Sequence, residues 1–239
     1  MYKMTFDYHT HSTYSDGKGT MEESVKTAIS KGLKGLAITD HGPGHLFYGV
    51  KRKEIPQMKE EIQRLREAYP QIDIYFGVEA NIRYVDNYVD ITPREAEQYD
   101  FILAGYYYGT TKAHCICNYL NKHGFLFKEE ELREKNTDMV VKAIEHNKIK
   151  ILTHPGSKGP FDMVRIADAC AKHGVWMEIS THHSHLTVEE IKISARAGAD
   201  LVISSDAHHP SVVGDFEGGL ARAKKAGIDL SRIVNIEEV

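Results

Sequence analysis

Apolar and β-branched residues along the chain fall in short runs, separated by longer stretches in which they recur every three or four positions. The short runs predict strands at residues 4–8, 35–39, 72–78, 100–107, 150–153, 175–179 and 201–204, with an eighth apolar run at 233–236. The longer stretches predict helices at 21–31, 54–68, 128–147, 161–173, 187–197 and 219–226, on apolar sets such as Val25, Ala28 and Ile29 or Val164, Ala167 and Ala171. Gly32, Gly174, Gly198 and Gly227 fall where these helices should stop. One extra helical turn is expected at 92–98.

Strands alternating with helices from one end to the other, with no Pro- or Ser-rich linker between them, predict a single α/β domain over residues 1–239. A closed barrel and an open doubly wound sheet both satisfy that rhythm, and both put the active site at the C-terminal ends of the strands. A nucleotide-binding open sheet needs a glycine-rich turn after its first strand. His9-Thr10-His11-Ser12 stands there instead, so a TIM-like barrel is expected.

The residues at the ends of the predicted strands carry the chemistry. The first strand ends in His9-Thr10-His11, the second in Asp40-His41, the third in Glu79, the fifth in His154, the sixth in Glu178 and the seventh in Asp206-Ala207-His208. In a barrel those ends converge on one rim. His9 and His11, two apart, share a face of an extended chain and can hold one cation together. Asp16 stands in Tyr14-Ser15-Asp16-Gly17, which also reads as a plain turn. His41 is expected to be a ligand and Asp40 its support; Pro155 fixes the turn that aims His154. Asp206 and His208 repeat the spacing of the first strand. Nitrogen and oxygen donors without thiolate suit Zn, Mn or Fe and disfavour Cu(I) or iron–sulfur clusters.

Composition narrows the partners. Lys and Arg number 30 against 34 Asp and Glu, a net charge of −4 without long like-charged runs, which argues against nucleic acid. The first residues lack the apolar core of a secretory signal, no apolar run approaches the ~20 residues that span a bilayer, and three cysteines make no disulfide framework. A cytoplasmic protein with reduced thiols and no membrane partner is expected. His114-Cys115-Ile116-Cys117 lacks the second pair that a zinc clasp needs.

The segments Asp7-Tyr8-His9-Thr10-His11-Ser12-Thr13-Tyr14-Ser15-Asp16-Gly17, Ala37-Ile38-Thr39-Asp40-His41-Gly42, Gly77-Val78-Glu79 and Ser204-Ser205-Asp206-Ala207-His208 resemble, in order, four motifs of the PHP (polymerase and histidinol phosphatase) superfamily. The resemblance implies a distorted (β/α)7 barrel holding two to three divalent cations, Zn, Mn or Fe, and, for stand-alone members, phosphoesterase activity. Carried over motif by motif, it implies that His9, His11, Glu79 and Asp206 hold one cation and that Glu79 bridges to a second, also held by His154. Asp16, His41 and His208 hold the third. The family usually has a histidine near the end of the fourth strand, where this chain has Tyr107, so the second cation is expected to lack an imidazole.

The expected activity is hydrolysis of a small phosphorylated metabolite by a metal-held hydroxide, with Asp206 or His208 taking the water's proton. Arg83, Lys158 and His183 are candidates for the substrate phosphate. A nuclease of the same superfamily, an amidohydrolase-type deaminase and a metal-bound regulatory protein that has lost activity are the alternatives. Substrate and oligomeric state are not readable from the residues.

Overall fold

The computed structural model describes residues 1–83, 87–108, 112–125 and 128–239. Its elements run β1 (Tyr2–Met4), β2 (Phe6–Asp7), α1 (Met21–Ser30), β3 (Gly35–Ile38), α2 (Ile55–Ala68), β4 (Asp73–Ile82), α3 (Pro93–Ala96), β5 (Phe101–Tyr106), α4 (Lys112–Lys122), α5 (Glu129–His146), β6 (Ile149–Leu152), α6 (Met163–His173), β7 (Trp176–Ser180), α7 (Val188–Ala197), β8 (Leu201–Ser204), α8 (Glu217–Ala226) and β9 (Ile236–Glu238). Strands β2 to β8 form a seven-stranded parallel sheet in sequence order, the topology of the expected barrel. The helices start and stop for local reasons. Thr20 and Thr187 cap α1 and α7 through reciprocal bonds with Glu23 and Glu190, and Gly174 and Gly227 end α6 and α8 at φ 68° and 67°.

Helix faces and outward strand residues share one continuous core, with Ile38, Leu65, Ile144 and Ile203 among its fully buried members. A second, smaller cluster joins Leu103 of β5, Ile151 of β6 and Val202 of β8, flanked by Tyr8, Phe101 and Trp176. Tyr8 meets Phe101 and Trp176 edge-on at 5.9 and 5.4 Å. Phe101 and Trp176 are the first residues of their strands, so this aromatic plug fills the N-terminal end of the barrel and leaves its other end to polar groups.

The first predicted strand divides in two. Thr5 bonds Asn235 through both its amide and its hydroxyl, at 2.9 and 3.1 Å, so Tyr2–Met4 pairs antiparallel with β9 outside the barrel and only Phe6–Asp7 joins the main sheet. The eighth apolar run is therefore no barrel strand. Helix α4, which the apolar pattern does not predict, carries the His114-Cys115-Ile116-Cys117 segment. No helix among the described residues is long and apolar enough to cross a membrane.

Side chains sew the barrel's seam between β2 and β8. Asn235 donates to Phe6 O on β2 and to Ile203 O on β8, at 2.7 and 2.6 Å, and accepts from Ile203 N at 3.0 Å. Asp7 accepts from the Ser205 hydroxyl and amide at 2.5 and 3.2 Å and from Gly214 N at 2.8 Å. Beyond them the backbone takes over, with His11 N donating to Ala207 O at 2.8 Å and Ala207 N to His9 O at 3.3 Å. Asn235→Ala strands several buried backbone groups, each costing about 1–3 kcal/mol. The expected loss is about 2–4 kcal/mol, read as a lower urea midpoint at unchanged slope; a midpoint equal to wild type would show that the seam does not need this side chain.

Candidate metal centre

The seam sets the first two imidazoles. Thr10 is tied sideways, its hydroxyl to Ala37 O at 2.7 Å and its amide to Thr39 Oγ1 at 3.1 Å, which leaves His9 and His11 buried at the barrel mouth. His9 Nδ1 lies 2.7 Å from Glu178 Oε1, and the other oxygen of Glu178 accepts from His154 N at 2.8 Å. Glu178, expected only as another strand-end carboxylate, thus stands behind two candidate ligands and fixes both, as outer carboxylates do. With Nδ1 committed, His9 turns Nε2 toward the mouth.

Around that nitrogen the distances have the shape of a coordination polyhedron. His9 Nε2 to His11 Nε2 is 3.1 Å, and each lies near Asp206 Oδ1, at 3.6 and 3.4 Å. Glu79 Oε2 lies 3.5 Å from His9 Nε2 and 3.8 Å from His11 Nε2. A tetrahedral cation with bonds of about 2.0–2.1 Å spaces its ligand atoms about 3.4 Å apart, and these edges match it. His11 Nδ1 is buried without a hydrogen-bond partner, an orphaned donor or acceptor that a cation nearby would explain.

A second set adjoins the first. Asp16 Oδ1 lies 3.6 Å from His41 Nε2, and Asp16 Oδ2 lies 3.4 Å from His208 Nε2. His11 completes this group, its ring 4.5 Å from that of His41 and 4.3 Å from that of His208. Asp40 does not touch His41. It accepts from Ser12 N, Ser12 Oγ and Ser15 Oγ at 2.7, 2.6 and 2.5 Å, which clamps the turn that carries Asp16; the expected support acts on Asp16's loop instead.

Tyr107 faces the centre as expected, just past the end of β5, and Tyr106 points the other way to bond Asn136. The Tyr107 hydroxyl lies 2.8 Å from both Glu79 oxygens and 3.2 Å from His154 Nε2. Burial first, then the Glu79 charge, pushes this phenol well above its ordinary pKa, so it remains a donor. His154 and Asp206 hold φ of 28° and 54°, a left-handed backbone that costs about 1–3 kcal/mol outside glycine and marks positions fixed by their surroundings.

Electrostatics divide the imidazoles. Burial, then the neighbouring His41, lowers His11 to about 3, and burial with His154 lowers His183 to about 3, so both are neutral. Burial also opposes charge on His41, but Glu79 and Asp16 outweigh it and raise it to about 10. Burial works against ionising Glu79, Asp206 and Asp16, yet the imidazoles around them carry all three below their ordinary values.

Among the described residues, three groups can each present ligand atoms within 4.8 Å of one another: His9 with His11 and Asp206; His11 with Asp16, His41 and His208; and His154 with His183 and Asp206. All eight residues expected as ligands meet at this rim. Arg83, Lys158 and His183 line the same cleft of about 700 Å³. Arg83 Nη1 is engaged by Gly44 O at 3.2 Å, and Lys158 Nζ lies 5.9 Å from the Tyr107 ring. His45, which no strand-end pattern singles out, stacks on His41 at 4.3 Å and meets Tyr107 edge-on at 4.9 Å. Its place in the glycine- and proline-rich turn after His41 was the available signal.

The chain is similar to known proteins over nearly its whole length. A "Probable phosphatase" of Shewanella frigidimarina is 28% identical over 249 residues, covering 98% of this chain and 89% of its own length. The "Probable phosphatase YcdX" of Shigella flexneri is 28% identical over 245 residues, covering 96% and 89%. The histidinol phosphate phosphatase of Lactococcus lactis, solved with zinc, L-histidinol and phosphate, superposes with a TM-score of 0.65 over 95% of each chain at 19% identity. The profile of the PHP domain matches residues 7–200, from the first histidine motif to the start of β8, and this chain belongs to the PHP domain family.

Proposed function

We propose that the protein is a metal-dependent phosphatase of small phosphomonoesters. The observation that carries the reading is the set of His9, His11, Asp206 and Glu79 ligand atoms spaced 3.1–3.8 Å apart around one point, at the floor of a cleft of about 700 Å³. His9, His11, Glu79 and Asp206 would hold one cation, Asp16, His41 and His208 another, and His154 a ligand position beside them. Such cations, Zn, Mn or Fe, bind phosphoryl oxygens and make a nucleophilic water available near neutral pH.

The chain's own groups do the rest. Asp206, held ionised, accepts the attacking water's proton. Lys158, buried enough that desolvation lowers its pKa, presents a cation to the phosphate from the cleft wall, with Arg83 farther out. Phe47, Tyr48 and Ile116 line the outer cleft, whereas its described carboxylates, Asp16 and Asp206, belong to the metal cluster. An apolar or aromatic leaving group suits that wall better than a cationic one. The zinc, L-histidinol and phosphate bound by the Lactococcus lactis structure support the choice of a small phosphate ester.

Three outcomes are expected. First, p-nitrophenyl phosphate is hydrolysed, a chelator abolishes the activity and Mn or Zn restores it, while bis-p-nitrophenyl phosphate is turned over much more slowly. A preference for the diester would move the reading to a phosphodiesterase, and chelator-resistant turnover would remove the cations from it. Second, Asp206→Ala lowers bound metal per chain and lowers the rate by about 100-fold or more, with the far-ultraviolet circular dichroism of the folded chain retained. A variant with wild-type metal content and rate would sink the assignment. Third, Glu178→Gln, which loosens His9 without removing any ligand, weakens metal affinity by about 10–100-fold in a competitive chelator titration.

A further inference from the structure

Glu79 Oε1 reaches His154 Nε2 at 3.1 Å, but that oxygen is shared among several groups. It also accepts from Thr153 Oγ1 at 2.7 Å and from Tyr107 OH at 2.8 Å, and the phenol lies beside both groups, 3.2 Å from His154 Nε2. Asp206 is arranged differently. Its Oδ1 faces His9 and His11, at 3.6 and 3.4 Å, while its Oδ2 faces His183 Nε2 at 3.4 Å. The two oxygens of one carboxylate therefore look into two separate groups of imidazoles.

The loop after β7 is built to hold His183 there. Arg222 anchors its base, donating to Ser180 O and, at 3.1 Å, to Leu186 O. Within the loop, His183 N donates to Ser180 Oγ at 3.0 Å. The ring meets that of His154 edge-on at 4.7 Å and stays about a quarter exposed to the cleft, which leaves room for water or substrate. Two imidazole donors and one carboxylate oxygen, with an open side, make the three-ligand pattern of a catalytic zinc-type site.

We infer that His154, His183 and Asp206 Oδ2 hold a divalent transition-metal cation of their own, next to the one held by His9, His11 and Asp206 Oδ1, with Asp206 bridging the two. This inference rests on the reading of the rim as a metal centre. It makes His183 a ligand in place of the substrate contact expected from its loop position, and it supplies from the loop after β7 an imidazole that Tyr107 does not provide from β5.

The test is metal stoichiometry. Metal-depleted wild type, His183→Ala, His183→Gln and His182→Ala are titrated calorimetrically with Zn and with Mn, and bound metal is counted by elemental analysis after desalting. Both His183 variants should bind one equivalent fewer than wild type, with unchanged urea midpoints. His182→Ala, on the same loop but exposed, should bind as wild type does. Cobalt-loaded His183→Gln should lose visible absorption intensity in the same proportion. Wild-type stoichiometry and affinity in both His183 variants overturns the inference while leaving the metal centre intact, and a raised KM for p-nitrophenyl phosphate in those variants would return His183 to the substrate. A wild-type protein that binds neither Zn nor Mn overturns the metal reading itself.

Discussion

Everything at the rim depends on closing the sheet between β2 and β8. The strands flanking that seam are Phe6–Asp7 and Leu201–Ser204, too short and too staggered to pair directly, so Asn235 and Asp7 supply the missing bonds with their side chains before the backbone resumes at Thr10 and Ala207. His9 and His11 come from one side of this join and Asp206 and His208 from the other. An open sheet would leave two imidazoles and a carboxylate at opposite edges; the closed one puts His11 Nε2 3.4 Å from Asp206 Oδ1. Closure is therefore the step that turns a sequence motif into a ligand set, and it is carried by a few buried polar contacts that cannot be exchanged for apolar packing.

Those contacts also explain how so many charges tolerate burial. Glu79, Asp206 and Glu178 are wholly enclosed, and a bare carboxylate in such surroundings would be protonated. In the cation-free protein, protons on imidazoles stand in for the cations. His9, drawn up by Glu178, Asp206 and Glu79 against the opposing effect of burial, and His41, raised to about 10, face neutral His11 between them. A cation held by these residues would take the place of those protons, so metal affinity would be coupled to pH and would rise as the protons become easier to remove. The same carboxylates that would be a cost in an empty core become the reason a divalent ion binds.

The legibility of this site in the sequence depends on what residue patterns encode. Strand ends read well because a parallel barrel repeats one rule: apolar run, then the functional residue. His154 and Asp206 each obey it, whereas Glu79 lies inside β4, which runs on past the predicted end at 78 to Ile82. The split of the first strand was hidden, since a run such as 4–8 does not say which neighbour each part will pair with, or that pairing outside the barrel begins at Tyr2; Thr5's two bonds to Asn235 decide it from the far end of the chain. Helix α4 was hidden because its cysteines and asparagines dilute the apolar period. Asp40 and Glu178 were legible as carboxylates at the right height, but whether such a group touches a cation or holds a neighbour depends on distances of a few ångströms that no spacing specifies. His183 was ambiguous for a related reason: a loop histidine becomes a ligand or a substrate contact only through where its backbone is tied.

Tyr107 shows what a phenol does where the family resemblance leads one to expect an imidazole. An imidazole at this position has a lone pair to offer near neutral pH, whereas a phenol driven above its ordinary pKa has a proton to give. The proton goes to Glu79, whose two oxygens both lie 2.8 Å from the hydroxyl, and Thr153 adds a second donor. Each donor that Glu79 accepts reduces the charge it can share with a cation on that side, while its Oε2 keeps the approach to His9, His11 and His41. The change from ligand to donor therefore does more than delete one bond. It leaves the Glu79 oxygen that faces His154 Nε2, 3.1 Å away, loaded with two further donors. Besides Glu79 Oε1, the second oxygen of Asp206 and the imidazole of His183 reach the His154 half of the rim, both from outside β5.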